Sequence, residues 1–177
     1  GEGDGMSELQ RFIEAQDRDT DGLATALAEL GRGRKEGHWI WYVFPQLAGL
    51  GTSATARTYG LAGRSEAEAY LRDDVLCDRY AHAVAAVSTQ LCRLQPPQLD
   101  VLMGSRVDAL KLVSSLTLFE SVATALAAET GEDGPHARLA EEIGGVLAVA
   151  DAQGYDRCAF TQRALAADAA PASARER

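Results

Sequence analysis

Apolar residues recur along most of this chain at the three- and four-residue spacing of an amphipathic α-helix. Leu23, Leu27 and Leu30 show this spacing near the N-terminus, and alanine, the best helix former, fills many of the positions between apolar residues. The same periodicity returns after each turn or loop of the sequence. The pattern predicts helices over about residues 7–16, 21–33, 53–59, 65–71, 74–93, 106–128, 135–151 and 156–167.

Helix-start signals stand before four of these stretches. Short polar side chains are suited to this position because they accept a hydrogen bond from a free backbone N–H of the first turn. The segments Ser7–Gln10 and Ser65–Glu68 have the form of a capping box, while Thr52 or Ser53, and Asp73 or Asp74, are placed to cap the helices that follow them.

A run of bulky residues, His38–Phe44, interrupts the helical pattern and is closed by Pro45 and Gln46. The run holds both tryptophans of the protein and is rich in β-prone side chains. Helical patterns flank it on both sides, and an apolar run this short fits either a buried strand or a buried helical turn. Both alternatives remain open at this stage.

These elements predict an all-α protein, a compact single-domain bundle of about six to eight helices with the aromatic segment 38–46 buried. Residues 1–6 are rich in glycine and are interpreted as a flexible N-terminus or a tag remnant. Residues 7–167 form the single helical domain. Residues 168–177 are small and polar and are predicted to be a disordered tail.

The composition fits a soluble globular domain, with 46% apolar and 24% charged residues in 177. The net charge of −9 opposes general nucleic-acid binding. No apolar run approaches a membrane span, and residues 1–6 lack the pattern of a secretory signal. Three widely spaced cysteines indicate reduced thiols and a cytoplasmic location. Homo-oligomerisation stays open.

The aromatic run supplies the first candidate chemistry. His38 is the residue type best suited to acid–base catalysis near neutral pH, and Gln46 offers both hydrogen-bond donors and an acceptor. Trp39 and Trp41 are candidate stacking walls for a planar ring, and Lys35 is a candidate anion contact beside His38. The alternative is a core segment with a hydrogen-bonded histidine and a turn-forming proline.

The predicted helix 106–128 supplies the second candidate. It is apolar nearly all round, as expected of a buried helix, yet it carries two polar stripes. An unpaired buried charge is costly, so Asp108 and Lys111 must be paired or must lie in a pocket. Alternatively, Asp108 caps the helix and Lys111 points to solvent. The functional interpretation makes Lys111 an anion contact or proton donor, with Ser114, Ser115 and Thr117 as ligand-binding hydroxyls.

No cofactor or metal is inferred from the sequence. The segment Asp17–Gly22 opens like a calcium-binding loop, but Ala28 occupies the twelfth position, where such a loop needs glutamate. The histidines and cysteines do not have the spacing of metal ligands. Nucleotide-binding glycine motifs are also absent from the sequence.

Two segments together resemble a known family. The first is Gly33–Ser53, with its His-Trp-Ile-Trp-Tyr-Val-Phe-Pro-Gln motif, and the second is Asp108–Phe119. Both resemble the signature of the bacterial domain-of-unknown-function family 1810, and the resemblance extends over about residues 8–165. The resemblance implies a compact, mainly helical fold, and the family brings with it no established activity. Val113 stands where the family pattern commonly has arginine, which removes one charge from any anion site.

Three functional hypotheses follow. The first is an enzyme acting on a small polar or anionic ligand, such as a hydrolase or N-glycosidase of nucleotide-like molecules. It would use His38, Asp108 and Lys111 as catalytic residues, with Asp108 stabilising a cation-like transition state. The second is a non-catalytic module that binds the same small molecule. The third is a structural or protein-interaction domain whose polar stripes form internal networks.

Overall fold

The computed structural model describes the backbone of residues 2–169 and the side chains of residues 8–168. Ten helices and no strand are present in that range, so the all-α prediction is confirmed and the expected count of six to eight is too low. The helices are α1 (Glu2–Gln16), α2 (Leu23–Gly31), α3 (Ile40–Val43), α4 (Ala54–Tyr59), α5 (Arg64–Arg72), α6 (Asp74–Leu91), α7 (Leu99–Leu102), α8 (Arg106–Thr130), α9 (Pro135–Ala152) and α10 (Ala159–Ala169).

A side chain caps the first turn at three of the helix starts. Ser53 and Asp73 accept hydrogen bonds from the backbone N–H of the third residue beyond them, at 3.1 and 3.0 Å. Ser105 caps α8 in the same way, so Asp108 is not the cap. The predicted box at Ser65 is wrong, because α5 begins one residue earlier, after Gly63. The first helix likewise begins before the predicted residue 7.

The two additional helices are single turns. The aromatic run, left open between strand and helix, forms α3, and the short α7 precedes α8. Single turns are too short to show helical periodicity, so their presence depends on packing. Within segment 38–46, the side chains of Trp39 and residues 42–46 are buried, but His38 is exposed and Trp41 is partly exposed. The expectation that the whole segment is buried is therefore corrected at these two positions.

The long helix α8 is the centre of the fold. Its most extensive contacts are with α9, and it also contacts α3, α5, α7 and α10. By length and composition it is apolar enough to cross a membrane, yet 67% of that apolar window is buried inside the protein, which is typical of a core helix. Tyr80 of α6 packs against Phe119 of α8 in a tilted arrangement with ring centroids 4.5 Å apart, and burial raises the pKa of the Tyr80 hydroxyl above its usual range.

The structure describes the predicted domain limits only in part. Helix α10 ends at Ala169, close to the predicted limit at residue 167. The tail was predicted to be disordered over residues 168–177, but residues 168 and 169 belong to α10. The rest of that tail, from residue 170 onwards, lies outside the described residues, as does Gly1. The interpretation of residues 1–6 as flexible or as a tag remnant stays a prediction.

Candidate functional site

An open pocket of about 510 Å³ lies where the first turns of α8 meet the loop that joins α2 to α3. Residues from five parts of the chain line it: the loop before α2, the loop around Lys35, the aromatic segment, the start of α4, and the start of α8. Its lining side chains include Arg18, Thr20, Asp21, Lys35, His38, Ile40, Trp41, Tyr42, Ser53, Thr55, Asp108 and Lys111. The structure therefore brings together five of the predicted site residues, namely Lys35, His38, Trp41, Asp108 and Lys111.

A carboxylate held between two lysines forms the floor of the pocket. Asp108 Oδ2 lies 2.8 Å from Lys35 Nζ, and Asp108 Oδ1 lies 3.1 Å from Lys111 Nζ. The sequence contains only these two lysines, and both contact the same aspartate. Burial alone would raise the pKa of Asp108, but the hydrogen bonds and charges of Lys35 and then Lys111 lower it below its usual range. Asp108 is consequently ionised at neutral pH.

Lys35 is fixed in place from several directions. Its backbone N–H donates to the Leu102 carbonyl at 2.8 Å, which ties the loop to α7. Gly104 makes this approach possible: its φ is +82°, and a Cβ there would stand 2.6 Å from the Lys35 carbonyl oxygen. The Lys35 ammonium also donates to the Gly37 carbonyl and lies 5.0 Å from the Trp39 ring centroid. Lys35 is 7% exposed, so it is mainly engaged with the protein itself.

Glu29 of α2 anchors the same loop, a role that sequence reasoning missed. Its Oε1 accepts hydrogen bonds from the backbone N–H groups of Glu36 and Gly37, and from Trp39 Nε1, at 2.8 to 2.9 Å. Burial opposes ionisation of this carboxyl, yet these three donors and the Lys35 charge lower its pKa. The sequence around Glu29 does not show whether its carboxylate binds a neighbouring loop or lies in solvent, so this role could not be predicted.

Lys111 and Trp41 contact each other at the same pocket. Lys111 Nζ lies 4.6 Å from the centroid of the Trp41 ring, a cation–π arrangement, and the lysine side chain is 24% exposed. The ammonium therefore has hydrogen-bonding capacity left after its single bond to Asp108. His38 is exposed at the same pocket, with an imidazole available to a bound molecule.

Arg18 is the second residue that the sequence reasoning missed. Its guanidinium lies 5.3 Å from the Tyr42 ring centroid and donates to the Tyr59 hydroxyl at 3.1 Å. The neighbouring Asp21 is the one non-glycine residue within 2–169 with a positive φ, at 56°. Its carbonyl accepts the Tyr42 hydroxyl at 2.5 Å, so tertiary contacts hold the turn in this conformation. The segment considered as a calcium loop thus contributes a cation to the pocket.

The other predicted ligand-binding residues lie away from the pocket. Trp39 is fully buried, and Gln46 is buried with an Nε2 that has no hydrogen-bond partner in the part of the chain described. Ser115 is paired with the Tyr80 hydroxyl at 3.0 Å. Ser114 and Thr117 donate to carbonyls one turn back on α8. We therefore do not include these five residues in the site.

Several other surfaces were candidates for chemistry. A larger cavity of about 620 Å³ lies at the start of α5, and its charged side chains are mainly acidic, including Glu8, Glu66 and Asp168. Within the described residues, no group of three or more histidine, cysteine, aspartate or glutamate side chains is arranged to hold a metal ion. The α8 pocket is where histidine, lysine, aspartate and tryptophan side chains meet.

The structure is that of a small helical protein with a pocket built on a lysine–aspartate–lysine cluster. The chain belongs to the family DUF1810, proteins of unknown function, whose model matches residues 6–130. The resemblance seen in the sequence is thereby confirmed. The matched region contains every residue named above as lining the pocket.

A solved structure supports the same fold. The conserved hypothetical protein Rv1873 from Mycobacterium tuberculosis is 34% identical to this chain, with a TM-score of 0.71. The match covers 90% of this chain and 96% of that one. No curated protein matches this chain. The comparisons therefore establish a family and a fold, and the chemistry has to be argued from the pocket.

Proposed function

We propose that this protein binds a small anionic ligand, such as a phosphate-bearing nucleotide, in the pocket at the start of α8. The observation that carries the proposal is the convergence of both lysines of the chain on Asp108, beside His38 and Trp41.

The charge of the pocket favours an anion. Arg18, Lys35 and Lys111 give three positive charges against two from Asp21 and Asp108, so the pocket has a formal charge of +1. The whole protein has a formal charge of −9. A cationic concave site on an acidic protein concentrates field lines and attracts small anions against the overall repulsion.

The donors divide into positioning and ligand-facing groups. Lys35 is nearly fully buried and already has Asp108 and the Gly37 carbonyl as acceptors, so its role is to hold Asp108. Lys111 and Arg18 line the pocket and each have N–H groups beyond those used in their hydrogen bonds to Asp108 and Tyr59, and His38 adds an imidazole. These three side chains are the ligand contacts in our proposal.

The partly exposed Trp41 supports a ligand with a planar ring. An indole at the wall of a polar pocket offers apolar contact area to an aromatic base. Lys111 lies over the same indole, so one ligand would meet a cation and a stacking surface together. A nucleoside phosphate has both complementary parts.

Isothermal titration calorimetry with inorganic phosphate, AMP, ribose 5-phosphate and uncharged adenosine tests the proposal. We expect AMP to bind more tightly than adenosine, with affinity that falls as salt rises. Lys111→Met and Arg18→Met should each weaken AMP binding about tenfold, which corresponds to about 1.4 kcal/mol. Arg32→Met is the matched control, because Arg32 is exposed and lies outside the pocket. Unchanged affinity in Lys111→Met would reject the site.

Hydrolysis of the bound ligand is the second candidate, favoured by the exposed His38 in the same pocket. His38 would act as general acid or base. Asp108 is less suited to an N-glycosidase role, because a lysine already holds each of its oxygens and neutralises its charge. Product analysis by chromatography decides between enzyme and binding module. In an enzyme, His38→Gln binds the ligand but loses turnover; if the wild-type protein shows no turnover, it is a binding module.

A further inference from the structure

Asp21 lines the α8 pocket with a carboxylate that the protein itself does not use. Within the described residues 8–168, Asp21 is hydrogen-bonded through its backbone carbonyl, which accepts from the Tyr42 hydroxyl at 2.5 Å, and its carboxylate has no partner. The other aspartate of the pocket, Asp108, differs because each of its oxygens contacts a lysine. Asp21 is partly buried, so its carboxylate is not simply held out in solvent.

The turn that contains Asp21 does not need the carboxylate. Aspartate is tolerated at a positive φ because its short side chain can hydrogen-bond to nearby backbone groups, but Asp21 makes no such bond within residues 8–168 at its φ of 56°. The turn is held by the Tyr42 hydroxyl and by Gly22, where a Cβ would stand 2.2 Å from the Arg18 carbonyl oxygen. Glycine would adopt the φ of Asp21 without steric cost. The carboxylate therefore has a role outside the turn.

The carboxylate of Asp21 lies against the loop that joins α2 to α3. A Cβ at Gly37 would stand 2.4 Å from Asp21 Oδ1, so the missing side chain of Gly37 makes room for this oxygen. The Tyr42 hydroxyl is also 3.1 Å from the His38 carbonyl oxygen, and it thus joins the backbone of His38 to that of Asp21. The structure therefore fixes the free carboxylate in the pocket, next to the segment that carries His38.

A carboxylate in an anion-binding pocket has to face an uncharged part of the ligand, because it accepts hydrogen bonds and repels other anions. The uncharged donors of a nucleoside phosphate are the ribose hydroxyls and any amino group on the base. The base is assigned to Trp41 in the proposal above. Arg18, a proposed phosphate contact, lies on the same turn as Asp21, and the ribose is joined directly to the phosphate. The ribose hydroxyls are therefore the donors that suit Asp21.

We propose that Asp21 accepts hydrogen bonds from the ribose hydroxyls of the bound nucleotide, so that the pocket selects ribonucleotides over deoxyribonucleotides. The inference rests on the proposed function, because it requires a nucleoside phosphate in the same pocket. A carboxylate has two acceptor oxygens, which match the two hydroxyls of a ribose. Asp21 is thus the residue that determines sugar specificity, while Lys111 and Arg18 contact the phosphate and Trp41 contacts the base.

Calorimetry with AMP, 2′-deoxy-AMP and 2′,3′-dideoxy-AMP tests the inference on the wild-type protein and on Asp21→Gly. We expect the wild type to bind AMP about tenfold more tightly than dideoxy-AMP, because a site with a hydrogen-bond acceptor rejects a ligand that lacks the donor. In Asp21→Gly this affinity ratio should fall to about one. The three ligands carry the same charge, so the ratio does not report the altered charge of the pocket. The deoxy compound shows which hydroxyl contributes more.

Asp19→Gly is the matched control. Asp19 is exposed on the same turn and does not line the pocket, so this variant makes the same change of residue and charge outside the site. Its affinity ratio should remain that of the wild type. Because glycine suits the positive φ at position 21, the urea midpoint of Asp21→Gly should be at least as high as that of Asp19→Gly. A lower midpoint would show that the carboxylate supports the fold and would overturn the inference.

The binding results distinguish a failure of this inference from a failure of the proposed function. If AMP binding depends on Lys111 but dideoxy-AMP binds the wild type equally well, the role of Asp21 is wrong and the anion site stands. If the tenfold preference persists in Asp21→Gly, another group contacts the hydroxyls and the inference is overturned. If the wild type does not bind AMP, the proposed function fails and this inference fails with it.

Discussion

Asp108→Asn is the most informative single change, because it is expected to weaken the fold and strengthen anion binding together. Asparagine keeps the size of the side chain and removes its charge. The one amide oxygen that remains is uncharged and can replace only one of the two carboxylate oxygens, so the nearly buried Lys35 ammonium loses its counter-charge. Lys111 loses the same counter-charge at a more exposed position.

The magnitude follows from the burial of the two pairs. Removing one partner of a fully buried ion pair costs about 3–5 kcal/mol, whereas an exposed pair contributes about 1 kcal/mol or less. The side chain of Lys35 is 6% exposed and that of Asp108 is 18% exposed, so the first pair lies between these limits. We expect Asp108→Asn to lower the free energy of unfolding by about 2–3 kcal/mol.

Urea denaturation followed by circular dichroism measures this change. With a slope of about 2–3 kcal/mol per molar urea, the midpoint should fall by about 1 M. The binding arm is calorimetry with AMP, where loss of the competing carboxylate should tighten binding about fivefold or more. A midpoint within 0.2 M of wild type (about 0.5 kcal/mol) would show that the carboxylate does not hold the lysines. Weaker AMP binding would show that Asp108 itself contacts the ligand.

The pH dependence checks the same reasoning with its sign fixed. The pKa of Asp108 is lowered in the folded protein. Its stabilising contribution is therefore fully present above the unfolded-state pKa of about 3.9 and is lost as the pH falls through the lower folded-state value. The gap in stability between wild type and Asp108→Asn should be constant near neutral pH and shrink only in strong acid. A gap that closes already between pH 7 and 5 would contradict this assignment.

Two further predictions concern the loop that carries Lys35. Glu29→Ala leaves the buried Trp39 Nε1–H and two backbone N–H groups without their acceptor, so the free energy of unfolding measured in urea should fall by about 3 kcal/mol. Glu29→Gln retains an acceptor oxygen and should lower the free energy of unfolding by about half as much. Equal losses in the two variants would contradict the hydrogen-bond explanation. Gly104→Ala should destabilise by about 2 kcal/mol or more and weaken AMP binding, because its φ is +82° and the new Cβ would meet the Lys35 carbonyl at 2.6 Å. Gly145→Ala is the control, because no other atom lies near this exposed position on α9, and it should stabilise the protein by about 0.5–1 kcal/mol. Similar effects of the two substitutions on the free energy of unfolding would refute the argument from the close approach at Gly104.

The sequence determined the helical class and the main helices of this protein. Helix α6 could be predicted because its apolar residues form one stripe that needs a core on one side, and α8 because a long segment that is apolar nearly all round is expected to be a buried helix. Capping residues such as Asp73 marked the helix starts closely. The single turn α3 could not be predicted, since the aromatic segment contains no full helical period and its conformation depends on the surrounding core.

Part of the pocket was also predicted from the sequence. His38, Asp108 and Lys111 were chosen because their side chains have the right chemistry next to apolar segments, and the structure brings them to one pocket. Helical spacing also places Asp108 and Lys111 on the same face of α8. These predictions used only residue type and helical spacing, which can be read from the sequence without a tertiary structure.

Only the tertiary structure decided which of the polar candidates face that pocket. The contact of Lys35 with Asp108 and the anchoring of the loop by Glu29 join separate parts of the chain, and no local pattern encodes them. Ser115 and Thr117 lie on the same helix as Lys111 but face Tyr80 and Cys158 instead. Polar side chains on a buried helix face need hydrogen-bond partners, because an unpaired buried polar group is costly. Whether a ligand or a neighbouring helix supplies those partners depends on how the helices pack.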